Sequence, residues 1–185
     1  MPVSSLGGRS DPCPHLSLAR SELNSLTTSN LLRASGLAAI VAGVLRAIAS
    51  FVPDSVPYAE RQILYGLTDA FIIFGIIGAY SWRHREAGLL GFCGFVLAVA
   101  GLGSGIGIYA VRAIFFTTGL NMLGASWWKT KPVPRWIVAS WAISSVIGVI
   151  GYFGNGVGFL FVLAGLTFGI GFAGMGVVVW MGSRL

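Results

Sequence analysis

Charged residues are scarce in this sequence. Lys, Arg, Asp and Glu together make up 10% of its 185 residues, whereas hydrophobic residues make up 55%. A soluble domain has about 25% charged residues, and one core of this size has no room for so much apolar surface. The scarcity of charge therefore excludes an ordinary soluble domain and indicates an integral membrane protein.

Cysteine and histidine are rare as well, with two residues of each. Cys13 and Cys93 fall in a polar N-terminal tail and in an apolar run, so they form no disulfide framework. His15 lies in the same tail and His84 lies between two apolar runs, so no pair of histidines is available inside the membrane for a haem or a metal ion. No metal site and no cofactor is expected.

Long apolar runs are what the sequence has instead. A transmembrane helix needs about 20 apolar residues at about 1.5 Å of rise per residue. Runs of this length, bounded by charge, proline or glycine clusters, occur at 31–52, 62–82, 87–104, 107–128, 135–153 and 157–181. The predicted fold is an all-α integral membrane protein, a bundle of six transmembrane helices.

The third and fourth runs are joined by a glycine-rich stretch, GLGSGIG at 101–107. This stretch fits either a tight turn or the continuation of one helix. The segment 88–128 is about twice as long as one bilayer crossing, which favours two helices. A bundle of five helices, with one long helix here, is the alternative.

The basic residues predict the orientation of the chain in the membrane. If the N-terminus is inside, the cytoplasmic segments hold nine of the 12 basic residues, namely Arg9, Arg20, Arg33, Arg83, Arg85, Lys129, Lys131, Arg135 and Arg184. The outer connections hold Arg61 together with Asp54 and Glu60. This asymmetry predicts cytoplasmic N- and C-termini in a cell or inner membrane. Because the basic residues are spread over separate membrane edges, they do not indicate nucleic-acid binding.

The first 30 residues are polar and rich in turn-forming residues. They lack the continuous apolar segment of a secretory signal. We expect 1–30 to be a cytoplasmic, largely disordered tail with one short helix around 16–26, and 31–185 to be the transmembrane domain.

Glycine is abundant, with 27 residues. Many glycines recur at helical spacing, namely Gly75, Gly78, Gly88, Gly91, Gly94, Gly148, Gly151, Gly154, Gly165, Gly169, Gly171, Gly174 and Gly176. Helices in a bilayer adhere by close packing, and small-residue seams let their backbones approach. These seams either lie entirely inside the bundle or in part face a partner, such as a second copy or another membrane subunit.

Three charged residues lie inside the predicted spans: Arg46, Asp69 and Arg112. Each is four to seven residues from the outer end of its run, so all three lie about 6–11 Å below the outer boundary. An unpaired charge at this depth costs several kcal/mol. Since Arg46 and Asp69 lie on consecutive helices, we expect them to form an ion pair.

Other polar residues lie near these charges. Tyr65, Gln62 and Tyr58 precede Asp69 on one helical face, which predicts a polar stripe facing the bundle interior. Tyr109 lies one turn outward from Arg112, as Ser50 does from Arg46. Together they predict a polar pocket that opens to the outer side.

The charge balance of this pocket indicates its ligand. Two arginines against one aspartate leave an excess positive charge, which Glu60 cancels only if it bends inward. A guanidinium is suited to bidentate binding of a carboxylate or phosphate. We therefore expect binding or transport of a small anionic or amphipathic ligand, with Arg46, Asp69, Arg112, Tyr65, Tyr109 and Glu60 as site residues. The alternative is a structural ion pair plus an arginine, Arg112 in particular, that extends its head to the interface.

Two further hypotheses belong to other functional classes. In one, the protein is an accessory or assembly subunit whose glycine seams dock onto membrane partners. In the other, it is an intramembrane enzyme acting on a lipid or isoprenoid, with Asp69 or Glu60 as general acid. The sequence contains no hydrolase, kinase or transferase signature and no nucleophile–histidine arrangement at membrane depth, so an enzyme is the least favoured.

Overall fold

The computed structural model describes residues 14–53, 55–103, 109–130, 133–153 and 158–182. Within these ranges it describes the side chains from residue 29 onward, except those of 109–110 and 129–130. This part of the chain forms five helices and no strand: α1 (Pro14–Ala49), α2 (Tyr58–Gly103), α3 (Tyr109–Thr130), α4 (Arg135–Phe153) and α5 (Gly158–Gly182). The fold is all-helical, as predicted. Whether 1–30 forms a separate tail stays a prediction.

Four of the helices in the described part of the chain are long and apolar enough to cross a membrane. They are Ser29–Ala49 within α1, Tyr58–Gly103, Arg135–Phe153 and Gly158–Gly182. Four such helices are compatible with a multi-pass membrane protein. The helix α3, with 22 residues, is not among the four.

The helix α2 is not straight. Its 46 residues include non-helical backbone at Arg83 and at Gly88, which has φ 57° and ψ −164°. The rings of Tyr80 and Phe95 stack with their centroids 4.5 Å apart, whereas a straight helix would separate residues this far apart in sequence by about 22 Å. The chain therefore turns back on itself at 83–88. We call the two antiparallel segments α2N (58–82) and α2C (89–103).

The turn lies where the sequence places the break between the second and third apolar runs, 62–82 and 87–104. It is short because Gly88 adopts a positive φ that is strained for other residues. The sequence left open whether 88–128 was one helix, and the structure ends α2 at Gly103 and begins α3 at Tyr109.

Helices that follow each other in the chain pack antiparallel, and α5 returns to pack along α1. The α1–α5 interface is a seam of reciprocal glycine pairs, Gly36 with Gly176 and Gly43 with Gly169. A Cβ at Gly36 would lie 2.8 Å from the Gly176 carbonyl oxygen, and one at Gly169 would lie 2.5 Å from the Gly43 carbonyl oxygen. Because the obstacle is backbone, neither site has room for a side chain.

A second seam joins α2C to α3. A Cβ added at Gly94 would lie 2.6 Å from the Gly119 carbonyl oxygen, and the reverse distance is also 2.6 Å. Most of the predicted glycines on α2 and α5 thus contact helices of the same chain. Gly88 serves the turn instead, and Gly154 lies outside the described residues.

Aromatic side chains of α3, α4 and α5 fill the centre of the bundle. Neighbouring rings contact each other in the order Phe116, Phe168, Phe172, Trp141 and Trp127, with centroid separations of 5.7, 5.4, 6.3 and 6.4 Å. The last four of these side chains are buried. We refer to these five rings as the aromatic column.

Candidate functional site

The two ends of the bundle differ in chemistry. At one end, the turn at 83–88 lies near the C-terminus of α5, since Gly182 packs against Trp82. The N-terminus of α4 lies at this end too, because Trp136 packs against Gly174 near the end of α5. At the opposite end, the last turn of α1 packs against α5 near Gly165, and its Arg46 interacts electrostatically with Asp69 of α2 and Arg112 of α3. We call these the basic end and the charged end.

At the charged end, Asp69 of α2N is paired with Arg112 of α3. The Arg112 guanidinium donates a hydrogen bond through Nη2 to Asp69 Oδ2. The two side chains are 27% and 23% exposed, so the pair is largely enclosed between the helices. A charge-assisted bond of this kind offsets the cost of placing both ions at membrane depth.

The sequence predicted Arg46, and not Arg112, as the partner of Asp69. Ser35 packs against Gly78 and Ala39 packs against Gly75. Continuing this antiparallel register along α1 and α2N places Arg46 opposite positions 67–68. Asp69 is the next residue, and each residue turns the side chain by about 100°, so its carboxylate points towards α3.

Arg46 lies beside this pair without joining it. It is exposed in the last turn of α1, where the helix dipole favours a cation. It interacts electrostatically with Asp69, Tyr65 and Arg112, yet within the described ranges no carboxylate forms an ion pair with it. Arg46, Asp69 and Arg112, which we call the charged layer, thus carry one positive charge in excess.

The remaining predicted site residues lie around the charged layer at different depths. Tyr65 is half-buried one turn from Asp69. Glu60 is exposed in the first turn of α2, so its carboxylate does not bend inward to cancel the excess charge. Tyr58, the outermost residue of the predicted polar stripe, is 64% exposed, so this end of the stripe does not face the bundle interior. The side chain of Tyr109 lies outside the described residues.

Two features of this region were not anticipated from the sequence. Thr68, one position before Asp69, is buried and donates a hydrogen bond to the Leu64 carbonyl over 2.7 Å. Phe116, one turn along α3 from Arg112, begins the aromatic column and packs edge-on against Phe168. The charged layer therefore lies next to the first ring of the aromatic column. The only sequence signal for this neighbourhood is the i, i+4 spacing of Arg112 and Phe116, which many membrane helices share.

Charges at the basic end lie at the surface. Arg83 pairs with Glu86 at 2.6 Å, with side chains 40% and 35% exposed. Its guanidinium also lies over the Trp82 ring, 4.5 Å from the centroid. Arg135 lies over the Trp128 ring at 5.5 Å. Arginine stacked on an aromatic ring is typical of a membrane interface.

The groups in the charged layer limit what it can do chemically. It offers two guanidinium groups, one carboxylate and the nearby Tyr65 phenol. In the described part of the chain, no group of three or more His, Cys, Asp and Glu residues is placed to hold a metal ion. The arrangement is suited to binding an oxyanion, because a guanidinium presents several donors in one plane.

No protein-family model, no curated protein and no solved structure matches this chain.

Proposed function

We propose that this chain is a six-span membrane protein with cytoplasmic termini that binds a small anionic or amphipathic ligand at its charged end. The turn at 83–88 supports two crossings within α2, and α1, α4 and α5 are each apolar enough for one more. The helix α3, with 22 residues, has the length for the sixth. Arg83, Arg85 and Arg135 lie at the basic end, which the positive-inside rule orients towards the cytoplasm. The charged end then faces outward.

One observation carries the binding proposal: Arg46 is an exposed cation beside an ion pair that is already complete. Since Arg112 occupies the Asp69 carboxylate, Arg46 is left to interact with an anion from outside the chain. A second guanidinium nearby strengthens the preference for negative charge. A carboxylate or phosphate meets both requirements, charge and planar donor geometry.

The position of the aromatic column favours a binding site that is open at the charged end and closed towards the basic end. Directly below the charged layer, Phe116 packs on Phe168, and Phe168 stacks on Phe172 with centroids 5.4 Å apart. Close-packed rings along this line, from Phe116 to Trp127, oppose a polar route through the described part of the bundle towards the basic end. Binding or capture of the ligand is therefore favoured over passage through a fixed pore.

The apolar surroundings of the charged layer favour an amphipathic ligand over a small inorganic anion. Ile48 and Phe51 follow Arg46 in the sequence and are exposed at the same end of the bundle. A ligand with a carboxylate or phosphate head and an apolar body would bind the guanidinium through its head and the apolar surface at this end through its body. Each buried CH₂ group of such a body contributes about 0.8 kcal/mol.

The test is thermal unfolding of the detergent-solubilised full chain in the presence of acetate, citrate, glycerol phosphate or octanoate at constant ionic strength. We expect at least one of these anions to raise the unfolding temperature of the wild-type protein. Arg46→Gln should abolish this stabilisation. Arg33→Gln is the matched control, because Arg33 is an exposed arginine of the same helix, near the other end of the apolar segment Ser29–Ala49.

Equal responses of Arg46→Gln, Arg33→Gln and wild type to every anion would overturn the proposal. Arg46 would then be a snorkelling arginine that extends into the headgroups. Stabilisation by octanoate but not by acetate would specify an amphipathic ligand, and the reverse result would specify a small hydrophilic one.

The other two hypotheses gain no support from the described residues. The glycine seams that favoured a partner subunit are largely occupied by helices of the same chain. The carboxylate proposed as a general acid, Asp69, is already held by a hydrogen bond from Arg112. We therefore propose neither as the function.

A further inference from the structure

A groove runs along the outer surface of the bundle between α3 and α4. Its volume is about 520 Å³, and its walls are mostly apolar, formed by Ala125, Trp128, Val138, Ala139, Ala142 and Ile143. The polar group in its lining is Asn121. The Asn121 amide nitrogen donates to the Thr117 carbonyl and to Ser145 Oγ, both over 2.8 Å. Both amide hydrogens are therefore used, and the groove offers an occupant mainly hydrocarbon.

The basic end of this groove carries positive charge. Trp128 lines the groove, and the exposed Arg135 guanidinium lies 5.5 Å from the centre of its ring. Arg135 is also the first residue of α4, where free backbone N–H groups attract anions. The connecting sequence KTKPVPR at 129–135 holds three basic residues and no acidic one.

We propose that the α3–α4 groove binds one anionic phospholipid from the leaflet at the basic end, with an acyl chain along the groove and the phosphate at Arg135. Charge complementarity selects this occupant. A groove that is apolar along its length and cationic at one end matches a lipid that is apolar along its length and anionic at one end. This site is separate from the charged layer and does not depend on the function proposed above.

Native mass spectrometry of the detergent-purified full chain, titrated with dioleoylphosphatidylglycerol or dioleoylphosphatidylcholine, tests the proposal. We expect the wild type to bind one phosphatidylglycerol about fivefold more tightly than phosphatidylcholine. Arg135→Gln should remove that preference. Arg85→Gln, which removes an exposed arginine at the same end but away from the groove, should keep it.

A second pair of variants tests the groove itself. Ala142 is exposed in the groove wall, so Ala142→Phe fills the groove without entering the core and should weaken binding of both lipids by about tenfold. Ala100→Phe, at an exposed position of α2, is the matched control and should bind as the wild type does.

Three results would overturn the proposal. Equal losses in Arg135→Gln and Arg85→Gln would show that general surface charge attracts the lipid. Unchanged lipid binding in Ala142→Phe would exclude the groove. A change from dimer to monomer in Ala142→Phe would assign the groove to a second copy of the chain. If Ala142→Phe does not fold, the lipid preferences of Arg135→Gln and Arg85→Gln test the proposal by themselves.

Discussion

Arginine side chains have different environments at the two ends of the bundle. At the basic end, Arg83 and Arg135 lie at the surface against tryptophan rings. At the charged end, Arg112 lies within a helix interface and requires a carboxylate from another helix. The difference indicates that depth decides the role: an arginine near the interface is anchored by an aromatic ring, and a deeper one needs a counter-ion. Arg46 lies beside that pair but is exposed, and no carboxylate of the described residues forms an ion pair with it.

Among the variants that compare the two ends, Asp69→Asn should have the largest effect on the free energy of unfolding. It leaves two guanidinium groups near each other without a carboxylate, which should lower the free energy of unfolding by about 3 kcal/mol. Glu86→Gln breaks the surface pair and should cost less than about 0.5 kcal/mol. Unfolding of both variants in mixed detergent measures the difference. Equal costs would mean that the two pairs lie in equivalent environments.

A double-mutant cycle on Asp69 and Arg112 should give the next largest effect. Because the two side chains form a direct ion pair, we expect a coupling of about 2 kcal/mol between Asp69→Asn and Arg112→Gln. The same cycle on Asp69 and Arg46 should give less than half of that, since no direct bond joins them. A stronger coupling to Arg46 would assign the ion pair as the sequence suggested.

Removal of Arg46 should change stability only slightly. Arg46→Gln takes away a positive charge near Arg112 and breaks no ion pair among the described residues, so we expect the free energy of unfolding to stay within about 0.5 kcal/mol of the wild-type value. The measurement is the same unfolding assay without added ligand. A loss of 2 kcal/mol or more would show that Arg46 has a structural partner.

The smallest expected effect is that of salt. Raising the ionic strength from 0.1 to 1 M shortens the Debye length from about 10 to about 3 Å. The cost of Glu86→Gln, already a few tenths of a kcal/mol, should then disappear, because the Arg83–Glu86 pair is exposed. The cost of Asp69→Asn should persist. Comparable salt sensitivity of both costs would place the Asp69–Arg112 pair in bulk solvent.

Helix positions were the most predictable part of this fold. The apolar run 135–153 coincides with α4, and the run 157–181 differs from α5 by one residue at each end. Charged residues limit an apolar run because hydrocarbon excludes them, and clusters of proline and glycine interrupt a helix, so the sequence marks these boundaries directly. The turn inside α2 is marked in the same way, by the charged residues Arg83, Arg85 and Glu86, whereas its tight geometry depends on the backbone conformation of a single glycine, Gly88.

The grouping of the charged layer was predictable, but its pairing was not. Counting residues from the helix ends places Arg46, Asp69 and Arg112 at one level, because the rise per residue is constant. The direction of a side chain around the helix depends on register, and one position separates the buried Thr68, opposite Arg46, from Asp69, which faces α3. Which non-consecutive helices become neighbours is set by packing of the whole bundle. Sequence spacing alone therefore favoured the wrong arginine.

The glycine contacts between α1 and α5 also have a consequence for biogenesis. The ribosome synthesises α1 before α5, so α1 inserts well before its main packing partner exists. Until then the small-residue face around Gly36 and Gly43 is unpacked, and it stays unpacked in a chain truncated before α5. Packing of α1 must therefore await synthesis of α5, and nascent chains that stall before α5 should be preferred substrates of membrane quality control.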